Sequence, residues 1–130
     1  MVLADDLIWA TRLAAHLRAS GAVPVHVRDA AAFEAALAGA DRAVADRAVA
    51  DRAVVDLTAR AYDGVAAVEA ASRAGWRVLA VGQHDDLALR KAALAAGADR
   101  VYSYRKLFED GPATLGRWLA GSLDKEREAG

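Results

Sequence analysis

Short apolar runs alternate with longer segments of helical period along the whole chain, and this alternation restricts the fold more than any other feature. The runs are Val2 to Ala4, Val23 to Val27, Ala53 to Val55, Arg77 to Val81 and Arg100 to Ser103. Between them apolar residues recur at three- and four-residue steps, as in Leu7, Ile8, Ala14, Ala15 and Leu17, the period of an amphipathic helix. Strands alternating with helices are the signature of βα units in a parallel sheet. The expectation is therefore an α/β fold with one doubly wound sheet of five parallel strands and five helices. Acids and glycines punctuate it. Asp5 or Asp6 caps a first helix that stops at Gly21, Asp29 caps a second over Ala30 to Leu37, and Gly39 is its natural end. Asp63-Gly64 starts a third helix that runs to Gly75, Asp85 or Asp86 caps a fourth that ends at Gly97, and Ala113 to Leu123 forms the last. Positions 1–123 make one domain, and Asp124 to Gly130 is a charged tail expected to fray.

Composition narrows the partners. Hydrophobic residues make up 55% of the 130 but aromatics only 6%, so the core is built from Ala, Val and Leu. A net charge of -1 provides no field that draws in nucleic acid or an anionic membrane. Without cysteine there is no disulfide, thiolate nucleophile or Cys-ligated metal. No basic region followed by an apolar run opens the chain, and no segment approaches the roughly 20 apolar residues that span a bilayer, so a cytoplasmic location is the expectation.

One segment has no place in the alternation. Ala40-Asp41-Arg42-Ala43-Val44 is repeated unchanged at positions 45–49 and 50–54. A five-residue period fits neither helix nor strand, and it is far shorter than a solenoid unit. It reads as a ten-residue insertion, natural or engineered, because removing two copies leaves a helix-to-strand connection of ordinary length. Each copy also offers a strand seed, with Asp46, Asp51 and Asp56 each following one. Only Asp56 keeps its distance to Asp63-Gly64. The third copy is therefore expected to form the strand, while positions 41–50 extend the second helix or loop out.

Asp56 ends the apolar run Val54-Val55, and Asp5-Asp6 follow the first run. In a doubly wound sheet ligands bind beyond the carboxyl ends of the strands. Three carboxylates meeting there repel one another unless a cation joins them, and oxygen ligands of this kind suit magnesium. Helix capping is the plainer account of Asp5 and Asp6 taken alone. His16 and His26 have no partner at metal-ligand spacing, His84 follows the fourth strand beside the expected site, and no glycine-rich phosphate loop is present.

With these residues in place the sequence resembles the receiver domain of two-component response regulators over almost its whole length. The resemblance is carried by Ala4-Asp5-Asp6, by Val54-Val55-Asp56-Leu57 with Asp63-Gly64 following, and by Ala95-Ala96-Gly97-Ala98-Asp99. It implies a flavodoxin-like strand order of 2-1-3-4-5, magnesium held by Asp5, Asp6 and Asp56, and phosphate accepted by Asp56 from a histidine kinase. Other parts of the family pattern are missing. Gly82 stands where a Ser or Thr ends the fourth strand, and Tyr104 and Arg105 stand where a Lys-Pro pair ends the fifth. Val101 occupies the aromatic switch position, and Arg60 replaces a proline after Asp56. A tyrosine cannot supply the lysine's charge, although Arg105 or Lys106 has the length to swing in. These departures describe an atypical or pseudo-receiver: a non-enzymatic signalling or protein-interaction module whose partner is a histidine kinase or effector protein, or a second copy in a homodimer. Tyr102, Tyr104, Phe108 and Trp118, on the face receivers use for partners, are the interface candidates. A magnesium-dependent phosphoacceptor and a small-ligand α/β domain are the alternatives.

Overall fold

The computed structural model describes residues 1–39, 52–83 and 85–120. Five strands, β1 (Val2–Leu3), β2 (His26–Val27), β3 (Arg52–Asp56), β4 (Arg77–Gly82) and β5 (Arg100–Ser103), form one parallel sheet in the order β2-β1-β3-β4-β5. The helices are α1 (Leu7–Ala19), α2 (Ala30–Gly39), α3 (Gly64–Arg73), α4 (Leu87–Ala95) and α5 (Tyr104–Ala120). Parallel strands need crossovers, and the helices that make them cover both faces of the sheet.

Successive strand residues point to opposite faces. Val2, Val54, Leu79 and Val81 pack with Leu13 and Leu17 of α1 and Leu107, Leu115 and Trp118 of α5. Leu3, Ala53, Val55, Val78 and Ala80 face the other way, onto Phe33 and Leu37 of α2, Val68 and Ala71 of α3, and Ala93 of α4. The small side chains of an alanine-rich sequence let the helices lie close on both layers.

The acids act as the sequence predicts. Asp6 accepts from the backbone N–H groups of Ile8 and Trp9, Asp29 from Ala32, Asp63 from Ala66 and Asp86 from Leu89. Gly21, Gly75 and Gly97 carry the positive φ that ends α1, α3 and α4.

Several boundaries differ. The second strand is His26–Val27 instead of Val23 to Val27: it lies at the sheet edge, Val23 is exposed, and Pro24 has no N–H to pair. The first and fourth strands are Val2–Leu3 and Arg77–Gly82, each one residue from expectation. The last helix starts at Tyr104, not Ala113. Lys106 N–H bonds the Ser103 hydroxyl and opens a first helical piece, and Asp110 (φ -148, ψ 37) breaks the helical geometry before Gly111-Pro112 begins a second. Gly111 thus marks a kink inside α5. A Cβ there would lie 2.8 Å from the His16 ring.

Val2 and Val54 pair, so β3 is built from the third repeat copy and Asp56 stands at its carboxyl end. The fate of positions 41–50, the tail at 124–130 and His84 lie outside the described residues. Among the described residues no helix is long and apolar enough to cross a membrane.

Candidate functional site

Parallel strands bring Asp5, Asp6 and Asp56 to one edge, where they line a crevice of about 430 Å³ together with Trp9, Thr58 and Tyr104. The three acids are not equivalent. Asp56 is 1% exposed, and its Oδ1 accepts from the Thr58 backbone N–H at 2.9 Å, from the Thr58 hydroxyl at 2.8 Å and from the Tyr104 hydroxyl. A buried carboxylate requires donors of this kind, since each unmet lone pair carries a desolvation cost. Asp5 is half-buried, and its Oδ2 accepts from Arg60 and Ala61 N–H at 2.9 and 3.0 Å, tying the loop after β3 to the end of β1. Asp6 is exposed and caps α1.

Tyr104 follows β5 directly and turns inward. Its ring stacks on Trp9 with centroids 3.9 Å apart, and its hydroxyl lies 3.1 Å from that of Thr58. Burial, and then the hydrogen bond to Asp56, push its phenol far above the ordinary tyrosine pKa. Below Asp56, the Tyr62 hydroxyl reaches the carbonyls of Asp56 at 2.7 Å and Leu3 at 2.9 Å and so joins the ends of β3 and β1. Burial, then the charges of Asp56 and Asp5, raise the Tyr62 pKa as well.

The set of acids has the oxygen chemistry a hard cation takes. Its members do not converge, however: among the described residues no group of three or more His, Asp or Glu is close enough to hold a metal. One oxygen of each acid is engaged by an amide or hydroxyl, and the magnesium ligand set expected from Asp5, Asp6 and Asp56 is not assembled in this arrangement.

The degenerate positions have clear places. Gly82 is buried at the end of β4, and a Cβ there would meet nothing nearer than Leu57 Cδ1 at 3.6 Å, so a hydroxyl side chain has room. Val101 packs in the core on the side of α2, α3 and α4. Arg105 pairs instead with Glu109, and Lys106 lines a groove with Arg90 and Arg100. Of the aromatic interface candidates, Tyr104 and Trp118 are core residues, Trp118 only 2% exposed. Tyr102 is half-buried and Phe108 is exposed. The four do not form one exposed patch, because Tyr104 turns to Asp56 and the Trp118 indole turns to Asp99.

Sequence reasoning missed Thr58, Tyr62 and Trp9. Thr58 carried a usable signal, a hydroxyl two residues past a buried carboxylate. Tyr62 and Trp9 reach the site only through tertiary packing.

No protein-family model and no curated protein matches the chain at the level of sequence. Solved structures do match. The receiver domain of NtrX from Brucella abortus is 19% identical with a TM-score of 0.74, covering 93% of this chain and 98% of that one. A response regulator receiver domain from Rhodospirillum rubrum is 20% identical with a TM-score of 0.72, covering 92% of each. A response regulator from Burkholderia pseudomallei, determined with a phosphorylated aspartic acid, calcium ion and citrate, is 18% identical with a TM-score of 0.71 over 98% of this chain and 69% of that one. The chain therefore has the fold of a response-regulator receiver domain.

Proposed function

We propose that this chain is an atypical receiver, a signalling module of two-component type that works through protein contact while Asp56 is sealed by Tyr104 and Thr58. The Tyr104 hydroxyl on buried Asp56 Oδ1 carries this reading. A phosphoryl group on that carboxylate requires an approach to an oxygen, a cation and a charged donor. Here a neutral phenol stands at the strand end in place of an ammonium, and Gly82 contributes no hydroxyl. The Burkholderia pseudomallei regulator of similar fold was determined with a phosphorylated aspartic acid and a calcium ion. In this chain Asp5 ties the loop after β3 to the end of β1, Asp6 caps α1 and Asp56 is bonded by Thr58 and Tyr104.

The partner surface of this reading is the face between α4 and α5. Arg90, Arg100, Lys106 and half-buried Tyr102 line a groove of about 640 Å³ there with Asp99, whose carboxylate pairs with Arg77, and the basic excess favours a protein partner, a histidine kinase or an effector, presenting acidic groups. A homodimer through the same face is the other assembly it supports. With Asp56 sealed, this reading requires neither magnesium nor chemistry by the module itself.

The test is incubation with acetyl phosphate and magnesium, read by intact mass. Wild type is expected to stay unmodified, and the Tyr104→Lys, Gly82→Ser double variant to gain a phosphoryl adduct that Asp56→Asn removes. An adduct on wild-type Asp56 contradicts the proposal and establishes a working phosphoacceptor.

A further inference from the structure

The groove between α4 and α5 concentrates positive charge on a chain whose net charge is only -1. Arg90, Arg100 and Lys106 all line it, and among the described residues none of the three has an acid within salt-bridge reach, whereas Arg73, Arg77, Arg105 and Arg117 each do. Asp99 is the carboxylate on that wall, and its Oδ2 already accepts from Arg77 Nε at 2.7 Å and from the Trp118 indole N–H at 3.4 Å. Three cations in one groove repel one another, and an anion among them relieves all three. Arg90 is also held in place: its Nη1 donates to the Val101 carbonyl at 3.0 Å, which leaves the rest of the planar guanidinium for an outside acceptor. The Ser103 hydroxyl accepts from the Lys106 N–H at 3.0 Å and keeps its own proton to donate. Beside these polar groups, half-buried Tyr102 and Leu94, 43% exposed, supply aromatic and aliphatic surface.

We propose that this groove binds a nucleoside polyphosphate, its phosphates among Arg90, Arg100 and Lys106 and its base against Tyr102. Three cations and a hydroxyl exceed what one carboxylate can engage, whereas a polyphosphate carries several charges and many acceptor oxygens. Guanidinium groups take phosphate oxygens in pairs, and the lysine adds a point charge. A base stacks on a tyrosine ring because every base presents a π-face. The volume of about 640 Å³ falls in the range of small-molecule sites, roughly 300–1,000 Å³. Binding rests on the groove alone. That an occupied groove would block the partner contact rests on the signalling reading, so the two can fail separately.

The chain is titrated calorimetrically with ATP in magnesium-free buffer at fixed ionic strength, with adenosine and tripolyphosphate as the two halves of the ligand. Saturable binding of ATP is expected, tighter than tripolyphosphate and at least about tenfold tighter than adenosine, as loss of charge-assisted contacts implies. Lys106 is exposed, so Lys106→Glu is expected to weaken ATP binding at least about tenfold while circular dichroism stays native. Arg18→Glu makes the same charge change on the exposed side of α1 and is expected to leave binding unchanged. Asp56→Asn is likewise expected to leave it unchanged, which separates this groove from the acid crevice. Absence of saturable ATP binding, equal affinity for either half of the ligand, indifference to Lys106→Glu, or an equal loss in Arg18→Glu overturns the proposal.

Discussion

Asp56 Oδ1 gathers three donors, two from Thr58 and one from Tyr104, and so joins the loop after β3 to the residue that follows β5. Tyr104→Phe keeps the ring on Trp9 and removes only the hydroxyl, so the loss is the hydrogen bond itself. We expect destabilisation of about 1–2 kcal/mol, read from urea midpoints, with Thr58→Val costing a similar amount. The raised pKa values of Tyr62 and Tyr104 predict an alkaline weakness. In the unfolded chain both phenols ionise near pH 10, whereas in the folded chain they hold their protons to higher pH. Their contribution is complete below about pH 10 and is lost as the pH rises beyond it, because the unfolded state releases protons first. Urea midpoints measured between about pH 9 and 11 should fall for wild type and fall less for the Tyr62→Phe, Tyr104→Phe double variant. At this scale the sequence shows which acids meet, since Asp5, Asp6 and Asp56 all follow apolar runs. It conceals what is done with them: that Tyr104 seals Asp56 follows from where β5 ends and how α5 turns, and neither is written in a local pattern.

At the scale of elements, Asp63 and Gly64 set the start of α3 by two different means. Asp63 accepts from Ala66 N–H, and Asp63→Ala should cost about 1 kcal/mol in stability. Gly64 is required by space: a Cβ there would lie 2.8 Å from the Leu57 Cα and 3.3 Å from the Asp56 carbonyl oxygen. Gly64→Ala must therefore displace the backbone beside Asp56, and a loss of about 1–3 kcal/mol is expected in thermal unfolding. Caps of this kind are legible because an acid followed by a periodic apolar run has one favourable geometry. The start of α5 is not, since Gly111-Pro112 reads as a boundary and the helical piece before it is short. Its order comes from Leu107 packed under the sheet and from Tyr104 on Asp56. The weak second strand has the converse cause: Val23 to Val27 has the composition of a strand but lies at an edge, with Pro24 inside it.

For the whole molecule, the alternation of runs is enough to give the parallel sheet, both covered faces and the placement of a site at the strand ends. The register question raised by the repeat is answered by the pairing of Val54 with Val2, which seats the third copy in the sheet. Deleting positions 41–50 should then leave the fold intact and change stability by less than about 1 kcal/mol, because loop-closure entropy varies slowly with length. A collapse of the thermal transition on deletion would show that the extra copies are part of the core. Tyr104 stands on Asp56 at the acid edge of a receiver fold. The most direct test of whether it seals the site is thermal unfolding of wild type, Tyr104→Lys with Gly82→Ser, and Asp56→Asn, each in magnesium with and without beryllofluoride. A ligand at a hundred times its dissociation constant stabilises by about 2.7 kcal/mol, a plain shift in melting temperature. Wild type and Asp56→Asn are expected to show no shift and the double variant a clear one; a shift in wild type that Asp56→Asn abolishes would mean that the site is open.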